Sequence, residues 1–136
     1  MIRIKNILLV MTLLPVMAVT GCNSSEKEIR LTTNNFLEAY FKVDYLKAGT
    51  FCTEELAEKL ANSLKNFDSI EPSVKEMLQK HSSEVKTEIV SVDRSKCRDS
   101  AAVLYKVILP NFQDGIKNTL LFARVNKEWK IISLGN

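Results

Sequence analysis

The stretch "TLLFARVNKEWKIISL", residues 119–134, contains two apolar segments separated by a two-residue polar turn. Both segments, Thr119–Val125 and Trp129–Leu134, are rich in the aliphatic and aromatic residues that fit a strand. Between them, Asn126-Lys127 is typical of a tight hairpin loop. The sequence therefore predicts an antiparallel strand pair at the end of the chain.

Two more strands are predicted upstream of this hairpin. Apolar residues alternate over Val85–Val92, and Ala101–Leu109 is strongly apolar and closed by Pro110. A charged turn over Asp93–Ser100 joins these two segments, and a second turn is predicted over Asn111–Gly115. The expected sheet is an antiparallel meander of about four strands.

Both faces of this sheet are expected to be apolar. Alternation assigns Trp129 to one face, and we expect its large ring to be buried against the first helix. Two apolar faces favour a sheet that is covered or bound by a partner on both sides. The assignment groups Leu120, Phe122, Ile132 and Leu134 on one face and Leu121, Ala123, Trp129 and Ile131 on the other.

Three amphipathic helices are predicted before the strands. The first begins near Thr33 and is expected to end at Gly49, where glycine accepts a left-handed conformation. The second has Thr53 as its N-cap, and the third starts close to Pro72. Helices followed by antiparallel strands are typical of an α+β fold with the helices on one face of the sheet.

The first residues have the pattern of a secretory signal. Arg3 and Lys5 precede an apolar run, Ile7–Ala18, that is shorter than the roughly 20 residues of a spanning helix. The next four residues, Val19-Thr20-Gly21-Cys22, resemble the lipobox of bacterial lipoproteins. That resemblance implies cleavage between Gly21 and Cys22 and lipidation of the Cys22 thiol. The alternative is an ordinary secretory cleavage with a chance cysteine after it.

The expected organisation is a signal peptide over 1–21, a lipidated tether over 22–31 and a single domain over 32–136. Cys22 would hold the protein in a membrane, since two or more acyl chains anchor durably. Asn23 is not the aspartate that resembles an inner-membrane retention signal, so we expect the outer membrane, facing the periplasm. Glu26 and Glu28 resemble acidic tracts that send some lipoproteins to the cell surface, which is the alternative location.

Charge argues against nucleic acid as a partner. Without Arg3 and Lys5, the 19 basic side chains become 17, against 16 acidic ones. Basic and acidic residues are interleaved along the chain, so no basic face of the kind that follows a phosphate backbone is predicted.

Two cysteines remain besides Cys22. In an oxidising compartment their even number favours a disulfide between Cys52 and Cys97, worth about 3–4 kcal/mol on the chain-entropy model. The alternative is a pair of buried free thiols, and geometry decides between them.

Two quoted segments, with the C-terminal hairpin, resemble a known superfamily. They are "FLEAYFKVDYLKAGTFCTEEL", residues 36–56, and "SAAVLYKVIL", residues 100–109. Together they are similar to the helical opening and last three strands of nuclear-transport-factor-two-like (cystatin-like) domains. In particular, the chain resembles small bacterial lipoproteins that carry an uncharacterised domain of this superfamily. The resemblance implies a cone in which helices pack on a curved antiparallel sheet. It implies no single activity, because this fold carries enzymes, binders and scaffolds.

No motif for catalysis, metal or cofactor binding is found. The glycines after the signal are far apart, which argues against a phosphate-binding loop. His81 is the single histidine, so a zinc site is not expected. A Cys52–His81 dyad is conceivable, but a Cys52–Cys97 bridge with His81 capping a helix is preferred. We therefore expect no cofactor and no metal.

Three residues are candidates for a pocket inside the cone: Tyr40, Asp44 and Tyr105. The best enzyme analogy in this superfamily is ketosteroid isomerase, which uses a carboxylate base. In this chain, the inward positions of the Ala101–Leu109 strand offer a tyrosine and no carboxylate. We therefore expect a non-catalytic binding or accessory module with a protein partner or a small apolar ligand. The alternatives are a small-ligand-binding cone and an isomerase-like enzyme.

Overall fold

A computed structural model of the chain describes residues 20–94 and 98–135, with side chains from Ser24 onward. Residues 1–19, with most of the predicted signal peptide, and Cys97 lie outside the described residues. The order is four helices and then four strands: α1 (Thr20–Phe41), α2 (Tyr45–Gly49), α3 (Glu54–Asp68), α4 (Pro72–Ser83), β1 (Lys86–Asp93), β2 (Ser100–Leu109), β3 (Phe112–Val125) and β4 (Glu128–Ser133).

The strands form one antiparallel sheet in the order β1-β2-β3-β4. Register shifts interrupt the pairing near Val90, Ile108 and Leu121, and such bulges bend and twist a strand. Helix α1 contacts β1 and β4, while α3 contacts β4. The predicted α+β fold, with helices on one side of a curved antiparallel sheet, is confirmed.

Helix α1 includes the segment that we predicted to be a tether. It runs from Thr20 to Phe41, and the Ile29 side chain is fully buried. Ile29, Thr33 and Leu37 recur every four residues, so they share the helix face that enters the core. The Thr33 hydroxyl donates to the Ile29 carbonyl at 2.8 Å, which satisfies a polar group on that buried face. The tether prediction for residues 22–31 is therefore wrong, because this segment is helical and supplies part of the core.

The end of α1 also differs from the prediction. Val43, with φ of 61°, is the left-handed residue, and Gly49 has no positive φ. The Asp44 N–H donates to the Ala39 carbonyl at 2.9 Å and the Val43 N–H to the Tyr40 carbonyl at 3.1 Å. This pair of bonds is a Schellman motif, which ends a helix with one left-handed residue. A β-branched side chain is unfavourable in that conformation.

The β3–β4 hairpin has the predicted two-residue loop. Asn126 and Lys127 have φ of 52° and 68°, as a type I′ turn requires. In the resulting register Phe122 lies opposite Ile131. Our assignment of the faces was therefore wrong for β4. The residues that share the buried face are Leu120, Phe122, Trp129 and Ile131.

Trp129 is 3% exposed, which confirms that it is buried. The Arg94 and Arg124 guanidinium carbons lie 5.2 and 5.3 Å from the centre of a Trp129 ring. These are cation–π distances. The ring is thus held by two arginine side chains in addition to the contacts of β4 with α1 and α3.

Helices α3 and α4 begin as predicted, with Thr53 at the N-cap of α3 and Pro72 in the first turn of α4. Helix α3 buries Leu56 and Leu60, whereas α4 buries no side chain. The Lys75 ammonium joins the two helices through an ion pair with Asp68 at 2.9 Å. Within the described ranges, no helix has the length and apolarity needed to cross a membrane.

Candidate functional site: a tyrosine-lined cavity

A cavity of about 420 Å³ lies between the last turns of α1 and the sheet. Its size falls within the range of pockets that bind small molecules. Helix α1, strands β2 and β3 and the end of the chain all contribute to the wall. The lining residues are Phe36, Tyr40, Phe41, Tyr105, Val107, Ile116, Asn118, Leu134 and Gly135.

Tyr40 is held in place by an aromatic cluster. Its ring centre lies 5.6 Å from that of Phe36, in a stacked arrangement with 27° between the planes. Phe41 meets the same ring edge-on at 5.3 Å, and Tyr45 packs on it at 5.3 Å. These are favourable aromatic geometries, and they fix the orientation of the Tyr40 ring at the cavity wall.

Tyr105 and Asn118 face each other across the β2–β3 pair. Tyr105 is 6% exposed, and both side chains line the cavity. Burial raises the pKa of the Tyr105 hydroxyl, the neighbouring Tyr40 raises it further, and the polar Asn118 side chain beside it offsets part of this effect. The Tyr105 hydroxyl therefore stays protonated at neutral pH.

Gly135 closes the cavity at the end of the chain. It has φ of 70°, and a Cβ on it would lie 2.1 Å from the Thr119 carbonyl oxygen. Only glycine allows the backbone to approach β3 this closely. The neighbouring Leu134 side chain then completes the apolar wall.

The structure brings together two of the three predicted pocket residues. Tyr40 and Tyr105 both line the cavity, whereas Asp44 does not. Asp44 is exposed and caps α2, where its carboxylate accepts a hydrogen bond from the Lys47 N–H at 3.3 Å. The assignment of Asp44 to the pocket is wrong, because α1 ends before it and turns its side chain toward the start of α2.

Sequence reasoning missed Asn118. We predicted no regular structure between Gly115 and Thr119, but β3 starts at Phe112 and continues through this polar segment. The alternation of the apolar residues Ile116 and Leu120 could have revealed the longer strand. Extending that alternation places Asn118 on the same face as the core residue Leu120.

The described lining of the cavity is largely apolar and its polar groups are neutral. Its side chains supply aromatic rings, aliphatic groups, two phenol hydroxyls and one amide. No carboxylate, imidazole or thiol is among these lining residues to act as a general base. Among all described residues, no group of three His, Cys, Asp or Glu side chains is arranged to hold a metal ion.

Cys52 carries a free thiol in the structure. The thiol is buried, and it donates a weak hydrogen bond to the Ala48 carbonyl at 3.4 Å. Burial raises the pKa of this thiol to about 12, so it is neutral and unreactive near pH 7. The predicted Cys52–Cys97 bridge is thus not formed in the structure, and Cys97 itself lies outside the described residues. His81, the other half of the conceivable dyad, is exposed in the last turn of α4.

The predicted lipidation site is at the limit of the described chain. The backbone of Gly21 and Cys22 belongs to α1, but their side chains are outside the described set. The lipobox interpretation therefore stays a prediction.

The sequence matches no protein-family model and no curated protein. Solved structures do match the fold. An NTF-2 like protein of unknown function from Shewanella oneidensis MR-1 aligns with a TM-score of 0.54 and 18% identity, over 79% of this chain and 95% of that one. An NTF2-like family protein from Streptomyces avermitilis, provisionally named a dehydratase, aligns with a TM-score of 0.44 and 14% identity. That second alignment covers 80% of this chain and 92% of the other.

At these identities the likeness concerns the fold alone. The Shewanella oneidensis protein has no known function, so it adds no activity to the geometry of the cavity. Four helices, a four-stranded antiparallel meander and the alignment over most of both chains agree with one another, and the described chain has the NTF2-like fold.

Proposed function

We propose that this protein is a non-catalytic, lipid-anchored binding protein of the bacterial cell envelope whose cavity takes a small, neutral, largely aromatic molecule. The observation that supports the binding function is the cavity itself. It combines a fixed aromatic wall around Tyr40 with two polar side chains, those of Tyr105 and Asn118, which belong to neighbouring strands of the cavity wall. Apolar walls with a few placed polar groups are typical of ligand sites.

The envelope location comes from the sequence. The short apolar run that ends in Val19-Thr20-Gly21-Cys22 supports export followed by lipidation of Cys22. The balanced charge of the chain after Gly21 gives no reason to expect a nucleic-acid partner.

Equilibrium dialysis of quinoline tests the cavity. The full-length protein in lipid nanodiscs is compared with empty nanodiscs, so that ligand dissolved in the lipid is subtracted. We expect saturable retention that is weakened by Ile116→Trp, because Ile116 lines the cavity and the larger ring would fill part of it. Leu121→Trp is the matched control, since Leu121 is 39% exposed and lies outside the lining. Equal retention by both variants and the unmodified protein would contradict a ligand site in the cavity.

A second candidate is an accessory role with a protein partner. Leu121 and Ile132 are 39% and 43% exposed and line a depression of about 280 Å³ together with Ala102. Exposed apolar patches of this kind often mark interaction surfaces. Crosslinking in intact cells from a photoreactive residue at position 121 tests this role. A discrete protein adduct that is absent when the photoreactive residue replaces the exposed Lys127 instead would favour it.

A further inference from the structure

The wall that β2 and β3 give to the cavity becomes more exposed along the strands. Directly paired residues put their side chains on the same face of a sheet, so each pair forms one level of this wall. Val103 and Leu120 form a fully buried level, and Tyr105, at the next level, is 6% exposed. Ile116, paired with Val107 one level further, is 53% exposed. The wall is therefore closed toward Val103 and open toward the β2–β3 hairpin.

Phe112 continues this wall beyond the cavity. It is paired with Leu109, which follows the cavity-lining Val107 by two residues on β2. Residues two apart on a strand share a face, so the register places Phe112 on the same face as Val107 and Ile116, about 7 Å further along. Phe112 is 47% exposed. Two large apolar side chains, Ile116 and Phe112, are thus exposed to solvent where the cavity opens.

The polar groups of the wall lie at the other end. Tyr105 and Asn118 are paired with each other, and both line the cavity. The two levels that follow toward the hairpin, Val107 with Ile116 and then Leu109 with Phe112, consist of apolar side chains. The wall is therefore polar where it is buried and apolar where it is exposed.

From this gradient we infer that the ligand is an aromatic molecule with a short apolar tail, whose polar end lies beside Tyr105 and Asn118 and whose tail leaves the cavity over Ile116 and Phe112. The inference rests on the binding function proposed above and names the chemical class of its ligand. A tail in this position would remove the exposed Ile116 and Phe112 surfaces from water, which favours binding. At about 1.5 Å per carbon–carbon bond, a chain of about five carbons covers the distance from one level to the next.

Quinoline and 6-pentylquinoline test the tail. They share a neutral aromatic ring system and differ by one pentyl chain, attached on the ring that lacks the nitrogen. Their dissociation constants are measured by equilibrium dialysis on the full-length protein in lipid nanodiscs, and the ligand retained by empty nanodiscs is subtracted. If about half of the pentyl surface is buried, 6-pentylquinoline should bind the unmodified protein about thirtyfold more tightly than quinoline.

Phe112→Ser is the decisive variant. It removes the largest apolar side chain on the path of the tail, so we expect the ratio of the two dissociation constants to fall by about fivefold or more. Val125→Ser is the matched control, because Val125 is also an exposed apolar residue of β3 but lies at the opposite end of that strand. Its ratio should equal that of the unmodified protein.

Each other outcome contradicts the inference in its own way. If quinoline is retained but the pentyl chain adds less than about twofold, or if Phe112→Ser keeps the ratio within about twofold, the tail is overturned and the binding function stands. If neither probe is retained above the empty nanodiscs, both proposals are overturned. If circular dichroism shows that Phe112→Ser is unfolded, Phe112 belongs to the core, and the exposed path for a tail is refuted.

Discussion

Replacing Ile29 by alanine tests whether the segment after Cys22 is part of the folded core. Ile29 is fully buried on the inner face of α1. The substitution removes about three buried carbons, worth roughly 2.4 kcal/mol at about 0.8 kcal/mol each. A cavity term adds to this, so we expect a loss of about 2–5 kcal/mol in the free energy of unfolding.

The matched control is Leu31→Ala, two residues further along the same helix. Leu31 is 60% exposed, so its truncation should change the free energy of unfolding by less than about 0.5 kcal/mol. Alanine favours a helix at both positions, which removes helix propensity as an explanation of any difference.

Urea unfolding of both variants in one common background measures the effect. With a slope of about 2 kcal/mol/M, a loss of about 3 kcal/mol lowers the midpoint by about 1.5 M. The slope itself should stay the same. Equal midpoints for Ile29→Ala and Leu31→Ala would refute the burial of Ile29 and restore the tether interpretation.

Three further predictions follow from single features. Mass spectrometry of protein isolated from membranes should find an acylated Cys22 as the first residue, and an unmodified Cys22 would contradict the lipid anchor. The Cys22→Ala variant should be released from the membrane. Val43→Gly should raise the free energy of unfolding by about 1 kcal/mol, because it removes a β-branched residue from a left-handed conformation. Thermal or urea unfolding measures this change, and a destabilised variant would argue against the left-handed conformation of Val43. Burial raises the pKa of Cys52 from 9.0 to about 12, so its contribution to stability is complete below pH 9 and is lost as the pH rises toward 12. Cys52→Ala should therefore flatten the fall in urea midpoint over that range, and an unchanged slope would contradict the burial.

Elements with a strong local pattern could be predicted from the sequence. The Ala101–Leu109 strand, the Asn126-Lys127 hairpin and the starts of α3 and α4 each carry a turn, cap or alternation signal, and the structure has them in place. Tyr40 and Tyr105 were found because each belongs to such a pattern. These features depend on residues that are close together in the chain.

The errors arose where distant residues decide the structure. The segment before Thr33 offers one large apolar residue, Ile29, on its inner face, and its helix is stabilised by what that residue packs against rather than by local composition. The first half of β3 is polar, and it is a strand because β2 supplies its hydrogen bonds, as in the pairs of Lys106 with Lys117 and Tyr105 with Asn118. Asn118 and the true position of Asp44 could be seen only after these contacts were known.

The short connection between α2 and α3 protects the sheet from self-association. The Ile131 N–H donates to the Phe51 carbonyl at 2.9 Å, and the Thr53 N–H donates to the Ile131 carbonyl at 3.0 Å. Strand β4 would otherwise present unpaired backbone groups at the edge of the sheet, where another chain can add as an extra strand. At the opposite edge, the bulge near Val90 and the charges of Lys86 and Glu88 discourage such addition. With the proposed lipid anchor, which would crowd neighbouring copies in the plane of a membrane, both edges would therefore offer little opportunity to join into fibrils.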